Sequence, residues 1–459
     1  MTTTPIAHCP ALFMAAPASG QGKTTLTAML ASWLTQQGKQ VRVFKTGPDY
    51  LDPQILEVAC GHPVEQIDLW MCGEAYCRQR LYQASLSADL ILIEGAMGMF
   101  DGEPSSADLA AFFGIPIALV LDVSGMAQTA AAIARGMADF RNDISVAGVI
   151  ANRCGSEYHS QLIERALPDD LPLLFSVERR DWLQLPERHL GLVQGIEIQQ
   201  ELTQLFQRAA ELFATLNADD LINRLPIIDF SLTEEKKQPT PTPQQWLKGK
   251  RIAIARDTAF SFIYAANLRL LQEMGAQLYF FSPLHDEQLP DADALWLPGG
   301  YPELHADRLS QNHTLLQQIR QFYSSGKPIL AECGGFLYCL DHLTNLQGEQ
   351  FPMLQLLPGW GQMRDRGGCQ GMQTAVLPEG DIRGHSHHRS AAYGTPEPIS
   401  YGRRSKHPAP GEAFYRERNL SASYLHLFFP SNPEAVARLF GGHTTSDSKT
   451  DPETDPGKT

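Results

Sequence analysis

Residues 17–25 read Pro17-Ala18-Ser19-Gly20-Gln21-Gly22-Lys23-Thr24-Thr25, and this stretch predicts the fold of the first half of the chain. An apolar run precedes it, and apolar residues follow it at the spacing of one face of an amphipathic helix. The order of strand, glycine-rich loop and helix is typical of a phosphate-binding loop, because backbone N–H groups and the helix N-terminus attract phosphate. The usual G-x-x-x-x-G-K-T pattern begins with glycine, and Pro17 stands there, so an ordinary strand-to-helix turn is the alternative.

Side chains of the loop predict a nucleotide site with a metal ion. Lys23 would bring an ammonium group to the phosphates, and the Thr24 hydroxyl would be a magnesium ligand. We expect Gly20, Gly22 and Thr25 to complete the nucleotide-binding loop. The loop therefore indicates a nucleotide bound together with Mg²⁺.

Carboxylates follow the next predicted strands at the edge where ligands bind in an open parallel sheet. Asp49 and Asp52 come after the strand 41–45, and Glu94 ends the buried strand 88–93. A carboxylate in a turn also caps backbone N–H groups, which is the alternative for the two aspartates. An unpaired carboxylate buried at a strand end costs several kcal/mol, so we predict that Glu94 is a magnesium ligand, together with Asp49.

The composition limits the classes of function. The chain has 459 residues, more than one hydrophobic core usually supports, so two or three domains are expected. A formal net charge of −14 argues against nucleic acid or an anionic membrane as a partner, because both bind clustered Lys and Arg. The 8 cysteines form no C-x-x-C pair, which is typical of reduced thiols. With no leader-like N-terminus and no apolar run of roughly 18 residues, a soluble cytoplasmic protein is expected.

A change in composition divides the chain. Residues 231–250 are rich in Thr, Glu, Lys, Gln and Pro and are interpreted as a linker. Strands alternate with helices on both sides of it, which predicts an α/β fold with two doubly wound domains, at 1–230 and 251–442. The tail 443–459 holds only polar residues, Gly and Pro, and is expected to be disordered.

The second domain contains a candidate nucleophile. A predicted strand, 328–332, ends on Cys333, and glycines follow before a helix. Such a sharp turn exposes the nucleophile, and a helix N-terminus lowers a thiol pKa, although a free cysteine is more often a small core residue. His426, on a predicted strand over 421–430, is the candidate base. The amides of Gly300 and Gly334 are candidate oxyanion donors.

A histidine-rich segment, residues 384–390, reads Gly384-His385-Ser386-His387-His388-Arg389-Ser390. A metal site is not favoured, because no cysteine or carboxylate lies at ligand spacing. Substrate binding or a surface loop is the interpretation that remains.

Together these motifs carry a family resemblance over nearly the whole chain. The N-terminal domain resembles the dethiobiotin-synthetase-like ATPases, with a P-loop NTPase-type parallel sheet. The C-terminal domain resembles a class I, triad-type glutamine amidotransferase with a flavodoxin-like fold. Joined in this order, they resemble the cobyrinic acid a,c-diamide synthase family. Besides the loop, the motifs are Gly47-Pro48-Asp49, Asp68-Leu69-Trp70-Met71, Glu94-Gly95, Met99-Phe100-Asp101-Gly102, Arg188-His189-Leu190-Gly191-Leu192-Val193, Pro298-Gly299-Gly300-Tyr301-Pro302-Glu303 and Glu332-Cys333-Gly334-Gly335.

The resemblance implies a reaction and roles for further residues. The family makes vitamin B12 by amidating the a and c carboxylates of cobyrinic or hydrogenobyrinic acid, with ATP, Mg²⁺ and ammonia released from L-glutamine. It implies that Asn152 reads the adenine, and we assign Asp52, Asp68, His385 and His388 to the corrinoid substrate. The family commonly shows Gly-His-x-Phe-His-Tyr-Ser where this chain differs at Ser386, His387 and Arg389.

Two rival functions share parts of this pattern. A partitioning-type switch ATPase has the same nucleotide-binding fold but carries an extra lysine early in the loop, where this chain has Ala18. A cobyric acid synthase amidates the other corrinoid side chains, and only the substrate separates it cleanly. The expected partners are small molecules, and both a monomer and a homodimer stay open.

Overall fold

The structure is a computed structural model that describes residues 6–183, 185, 187–188, 191–192, 194–195, 197–213, 216–232 and 244–442. The chain separates into two compact units, Met1–Thr240 and Pro241–Thr459. Among these described ranges, no helix combines the length and the apolar character that crossing a bilayer requires. The expected tail, residues 443–459, lies outside them, as do residues 233–243 of the expected linker.

Strands and helices alternate along the first unit. Its strands are β1 (Ile6–Ala15), β2 (Val41–Thr46), β3 (Glu65–Ile67), β4 (Leu90–Glu94), β5 (Ile117–Asp122), β6 (Val146–Cys154), β7 (Leu173–Glu178), β8 (Glu187–Arg188), β9 (Gly191–Leu192) and β10 (Ile227–Ser231). Its helices are α1 (Lys23–Gln36), α2 (Leu51–Cys60), α3 (Glu74–Ser85), α4 (Ser106–Phe113), α5 (Thr129–Asp139), α6 (Glu157–Ala166), α7 (Gln199–Ala210) and α8 (Ala218–Asn223).

A parallel sheet of order β3-β2-β4-β1-β5-β6-β7 forms the centre of the first unit. Strands such as β4 are apolar along nearly their whole length because both faces are covered. The carboxyl ends of β2, β4 and β1 are neighbours, so the residues that follow them meet at one edge. The last strand, β10, pairs antiparallel with the first half of β1, from Ile6 opposite Ser231 to Pro10 opposite Ile227.

The second unit also begins with strands that alternate with helices, but most of its later elements are strands. Its strands are β11 (Arg251–Ala255), β12 (Gln277–Phe281), β13 (Ala294–Leu297), β14 (Ile329–Glu332), β15 (His342–Thr344), β16 (Gln350–Pro352), β17 (Trp360–Met363), β18 (Gly371–Ala375), β19 (Ile382–Ser386), β20 (Ser390–Tyr393), β21 (Ser400–Arg404), β22 (Pro410–Glu417), β23 (Leu420–Ser423) and β24 (His426–Leu427). Its helices are α9 (Ala265–Glu273), α10 (Ala306–Gln311), α11 (His313–Ser324), α12 (Gly334–Cys339) and α13 (Pro433–Leu439).

The main sheet of the second unit is half parallel and half antiparallel. Strands β12, β11, β13, β14 and β23 are parallel neighbours. From β23 the sheet continues antiparallel through β22, β21, β18 and β19 to β24. The α/β class is as expected, and the antiparallel extension was not anticipated.

Two predicted elements are wrong in their extent. The strand expected over 421–430 is interrupted, because β23 ends at Ser423 and β24 begins at His426 on a different neighbour. The apolar spacing of residues 199–216 also predicts one long helix, but α7 ends at Ala210 and continues as a 3-10 turn over Glu211–Phe213. That turn buries Phe213 against Trp33 at a ring distance of 5.1 Å. In both cases tertiary pairing decides where the element ends.

Two candidate active sites

A cavity of about 1090 Å³ lies at the carboxyl ends of the first unit's strands. Of the residues proposed from the sequence for this unit, those that line it are Gly20, Gly22, Lys23, Thr24, Thr25, Asp49, Asp52, Glu94 and Asn152. Sequence reasoning had assigned no role to Lys45, Arg153, Arg179 and Arg180, which line it too. A basic residue at the end of a buried strand was the available signal for Lys45.

The loop between β1 and α1 has the backbone that a phosphate-binding loop needs. Gly22 caps α1 with a φ of 91°, in the left-handed region that favours glycine. A Cβ on Gly22 would lie 2.3 Å from the Nδ2 atom of Asn152, so the loop and that side chain are packed directly together. Asn152 Nδ2 donates to the carbonyl of Gln21 at 2.9 Å. Asn152, assigned to the adenine from the resemblance, thus also holds the loop.

Lys23 points its ammonium group at backbone carbonyls around the loop. Its Nζ atom donates to Met97 O at 2.6 Å and to Ala18 O at 3.3 Å. Burial and the neighbouring Lys45 lower the pKa of Lys23, whereas the nearby Glu94 carboxylate raises it. The side chain is therefore already held at the loop, where it can meet a phosphate oxygen.

Glu94 and Thr24 form a pair beneath the loop. Thr24 Oγ1 donates to Glu94 Oε1 at 2.7 Å. Glu94 is 1 % exposed, and among the described residues its Oε2 atom has no hydrogen-bond partner. Burial raises the pKa of Glu94, against the opposing effects of Lys45 and the Thr24 hydroxyl. An unsatisfied buried carboxylate oxygen beside a hydroxyl fits a Mg²⁺ ligand pair.

Lys45 joins the carboxylates of this edge. Its Nζ atom lies 3.3 Å from Asp52 Oδ2 and 3.6 Å from Glu94 Oε1. Burial lowers the pKa of Lys45, but Glu94, Asp52 and Asp49 outweigh burial and hold that pKa above its ordinary value. Burial, followed by Asp49 and Glu94, raises the pKa of Asp52. The three carboxyl groups of this edge therefore outnumber the two lysines near them, Lys23 and Lys45, which again suits a divalent cation.

The described residues contain no group of three His, Cys, Asp or Glu side chains arranged to hold a metal ion by themselves. Mg²⁺ in nucleotide sites commonly takes one or two protein ligands and completes its shell with phosphate oxygens and water. The pair formed by Thr24 and Glu94 is consistent with that kind of site.

Two of the predicted site residues, Asp49 and Asp68, bind backbone N–H groups through their carboxylates. Asp49 Oδ1 accepts from the N–H groups of Leu51 at 2.8 Å and Asp52 at 3.2 Å, so it caps α2 while it also lines the cavity. Asp68 Oδ1 accepts from the N–H groups of Trp70 at 2.9 Å and Met71 at 2.6 Å. Asp68 is buried in that turn and is not among the residues that line the cavity. Of the motif at 188–193, residues 189, 190 and 193 lie outside the described ranges.

Cys333 occupies a sharp turn between β14 and α12 in the second unit. Its φ of 47° and ψ of −103° are uncommon for a residue with a side chain, and such strain is typical of a nucleophile turn. Its N–H donates to Ser423 O at 2.8 Å, which anchors the turn to β23. The expected lowering of the thiol pKa is wrong as a net effect. Burial, with the charge of Glu303, raises the pKa of Cys333 and outweighs the Gly334 amide that lowers it.

His426 is packed beside the turn Gly299-Gly300. It is 2 % exposed, and a Cβ on Gly299 would lie 2.1 Å from its Cε1 atom, so only glycine fits there. Burial, with the neighbouring His385, lowers the pKa of His426 to about 3. The imidazole is therefore neutral near pH 7, which is the form that accepts a proton.

The same glycine turn reaches the nucleophile. The backbone nitrogen of Gly300 lies 3.0 Å from the position that a Cβ on Gly334 would occupy. Gly299 thus contacts His426, and Gly300 contacts the residue after Cys333. The Gly299-Gly300 turn therefore lies against both the proposed base and the residue that follows the proposed nucleophile, as the predicted oxyanion site requires.

The histidine-rich segment lies next to this second site. His385, on β19, is the cross-strand partner of His426 on β24. His388 is buried, with Nε2 2.8 Å from Glu412 Oε1 and its ring stacked on Tyr424 at 3.8 Å. His385 and His388 are therefore neighbours of the candidate base in the second unit. Their assignment to the corrinoid stays a prediction.

Comparison with known families agrees with the two units. Residues 12–193 match the CobQ/CobB/MinD/ParA nucleotide binding domain. Residues 251–434 match the CobB/CobQ-like glutamine amidotransferase domain.

The chain is also similar to curated proteins over nearly its whole length. It is 48 % identical to a hydrogenobyrinate a,c-diamide synthase of Pseudomonas aeruginosa, covering 94 % of this chain and 98 % of that protein. It is 48 % identical to a protein of the same name from Stutzerimonas stutzeri, again over 94 % and 98 %. It is 46 % identical to a cobyrinate a,c-diamide synthase of Herminiimonas arsenicoxydans, over 92 % and 94 %.

Proposed function

The chain belongs to the family of hydrogenobyrinate and cobyrinate a,c-diamide synthases, and on that premise we propose that it amidates the a and c carboxylates of a corrinoid ring. It is a glutamine-dependent amidating ligase of cobalamin biosynthesis. We propose that ATP activates each carboxylate and that hydrogenobyrinic or cobyrinic acid is the substrate.

The observation that carries this proposal is the pair of sites, one in each unit. A phosphate-binding loop with the Thr24 and Glu94 pair supports nucleotide chemistry in the first unit. A strained cysteine turn, joined to His426 through the contacts of the Gly299-Gly300 turn, supports amide hydrolysis in the second. An amidating ligase needs both, because a carboxylate does not react with ammonia until one of its oxygens becomes a leaving group.

In the proposed first half, Lys23 and the loop amides hold the terminal phosphoryl group of ATP beside a substrate carboxylate. A carboxylate oxygen bonds to phosphorus as the bond to the ADP oxygen breaks, which gives an acyl phosphate. Ammonia then attacks the carbonyl carbon, loses a proton, and phosphate leaves. Thr24 and Glu94 would hold Mg²⁺, which when bound neutralises charge on the phosphates.

In the proposed second half, the Cys333 sulfur attacks the side-chain amide carbon of glutamine. Its proton passes to the neutral His426, and the Gly300 and Gly334 amides stabilise the oxyanion. The protonated His426 gives that proton to the leaving nitrogen, so ammonia departs and a thioester remains. Water then attacks the thioester and releases glutamate.

Counting amides by mass spectrometry tests the proposal. The full chain is incubated with ATP, Mg²⁺ and glutamine, and with hydrogenobyrinic or cobyrinic acid in separate reactions. We expect two amides on at least one of the acids and none when ATP is left out. A nucleotide hydrolysis that adds no amide to either acid would instead support a switch-type ATPase and overturn the proposal.

A further inference from the structure

Glu332 is a buried carboxylate to which the proposed chemistry gives no role. It ends β14, directly before Cys333, and is 2 % exposed. Its Oε1 atom accepts from the N–H of Leu427 at 2.8 Å, and its Oε2 atom accepts from Trp296 Nε1 at 2.9 Å. Both oxygens are therefore used, and one of them holds the residue that follows His426.

This contact links two strands that are not neighbours in the sheet. β14 lies between β13 and β23, whereas β24, which carries His426, ends the sheet next to β19. β24 has only two residues, so few ladder hydrogen bonds fix its position. The Glu332 side chain therefore connects β14, which leads into Cys333, to β24, which carries His426.

Asn267 holds the other side of the same peptide segment. It lies on α9 and is 1 % exposed. Its Nδ2 atom donates to Leu427 O at 2.8 Å, and its Oδ1 atom accepts from the N–H of Phe429 at 2.8 Å. The N–H and the carbonyl of Leu427 are thus both bound by buried side chains from elsewhere in the unit.

We infer that Glu332 and Asn267 are positioning residues that fix the His426 imidazole relative to the Cys333 sulfur. The inference rests on the roles proposed above for Cys333 and His426. Two N–H donors converge on the two Glu332 oxygens and oppose the effect of burial, which raises the pKa of Glu332 to about 8. A glutamine would turn its own NH₂ group towards one of those donors. Asn267 complements it by offering one donor and one acceptor to the same backbone. A small tilt of β24 would change the distance over which the thiol proton must move.

Glu332→Gln tests the inference, since it keeps the size of the side chain. Steady-state rates are measured with glutamine and with ammonium salts, together with iodoacetamide alkylation of Cys333 from pH 6 to pH 10. A misplaced base costs roughly tenfold or more in rate. We therefore expect kcat with glutamine to fall by about that factor, with KM for glutamine within about twofold. Amidation from ammonium should persist, and the alkylation profile should shift to higher pH because His426 no longer assists the thiol.

Glu379→Gln is the matched control. Glu379 is also a largely buried carboxylate of the second unit, and it binds Arg416 at 2.6 Å and 3.0 Å. Glu379→Gln should leave the pH profile of Cys333 alkylation unchanged. If Glu332→Gln does not fold, Asn267→Asp replaces the donor to Leu427 O and serves the same test.

The outcomes separate this inference from the proposed function. Parallel loss of glutamine-dependent and ammonium-dependent activity would mean that Glu332 is merely structural and would overturn the inference. So would wild-type kcat and an unshifted alkylation profile in the folded variant. Retention of glutamine-dependent turnover by Cys333→Ala would contradict the proposed function itself, whatever Glu332→Gln does.

Discussion

At the scale of single residues, Cys333 tests whether the two chemistries are separate. Cys333→Ala removes the nucleophile and leaves the phosphate-binding loop intact. We expect no activity with glutamine and clear activity with ammonium salts, rising with pH as more of the nitrogen becomes NH₃. Cys339 is the control, because it is fully buried in the same unit's core. Cys339→Ala should cost about 1 to 3 kcal/mol of stability and lower both activities together.

Lys23 belongs to the step that both nitrogen sources require. Lys23→Ala should abolish amidation with glutamine and with ammonium, because the lost charge serves phosphoryl transfer. Glu94→Ala should resemble it, with a raised Mg²⁺ requirement where activity survives. Asp49→Ala should do so as well and in addition lose about 1 kcal/mol of stability, because Asp49 caps α2. Amide counts and thermal melts measure these effects, and substantial amidation by Lys23→Ala would rule out its role.

Asn152 can affect ATP binding in two ways, by reading the adenine or by holding the loop through Gln21 O, and steady-state kinetics can separate them. Asn152→Ala should raise the KM for ATP and leave that for glutamine nearly unchanged. If the side chain reads the adenine, the penalty should fall on ATP and not on GTP. An equal rise for both nucleotides would assign the effect to the contact with Gln21 O instead. Equal effects on ATP and glutamine would exclude both contributions.

At the scale of elements, the loop before α1 is the part where we expect substitutions to be tolerated least. Gly22→Ala would place a Cβ 2.3 Å from Asn152 Nδ2, at a φ of 91°. We expect loss of ATP-dependent amidation with glutamine hydrolysis retained. Gly38→Ala is the control, because its φ of 82° gives a similar strain of about 1 kcal/mol while its Cβ would meet nothing within 4 Å. Comparable losses of amidation in both variants would show that strain, and not the packed loop, is responsible.

Elements differed in how far the sequence predicted them. Buried parallel strands, such as β14 over Ile329–Glu332, expected over 328–332, were predicted to within one residue of their observed ends because they read as short apolar runs between turn signals. Antiparallel strands such as β21, Ser400–Arg404, were missed, because their partly exposed, polar residues resemble a loop. The phosphate-binding loop and the cysteine turn were predicted, because each is encoded by a short continuous stretch of sequence. The contact of Asn267 with Leu427 spans 160 residues, so no local pattern could indicate it.

For the whole molecule, the expectation that residues 443–459 are dispensable can be tested. α13 ends at Leu439, Phe440 is buried, and the N–H of Gly442 donates to Ala437 O at 2.7 Å. A truncation after Gly442 should therefore keep full activity, because the removed residues have too little apolar surface to offset their ordering entropy. Loss of more than half the turnover in a folded truncated protein would contradict the predicted dispensability of 443–459.

The pairing of β1 with β10 also bears on how the chain is made. The first strand of the first unit obtains its antiparallel partner only when residues 227–231 have been synthesised. Until then, Ile6–Pro10 extend beyond their parallel neighbours with an unpaired edge that another nascent chain could bind. On the ribosome, the nucleotide-binding unit can therefore close only late in its translation, but still before Cys333 and His426 of the second unit have been synthesised.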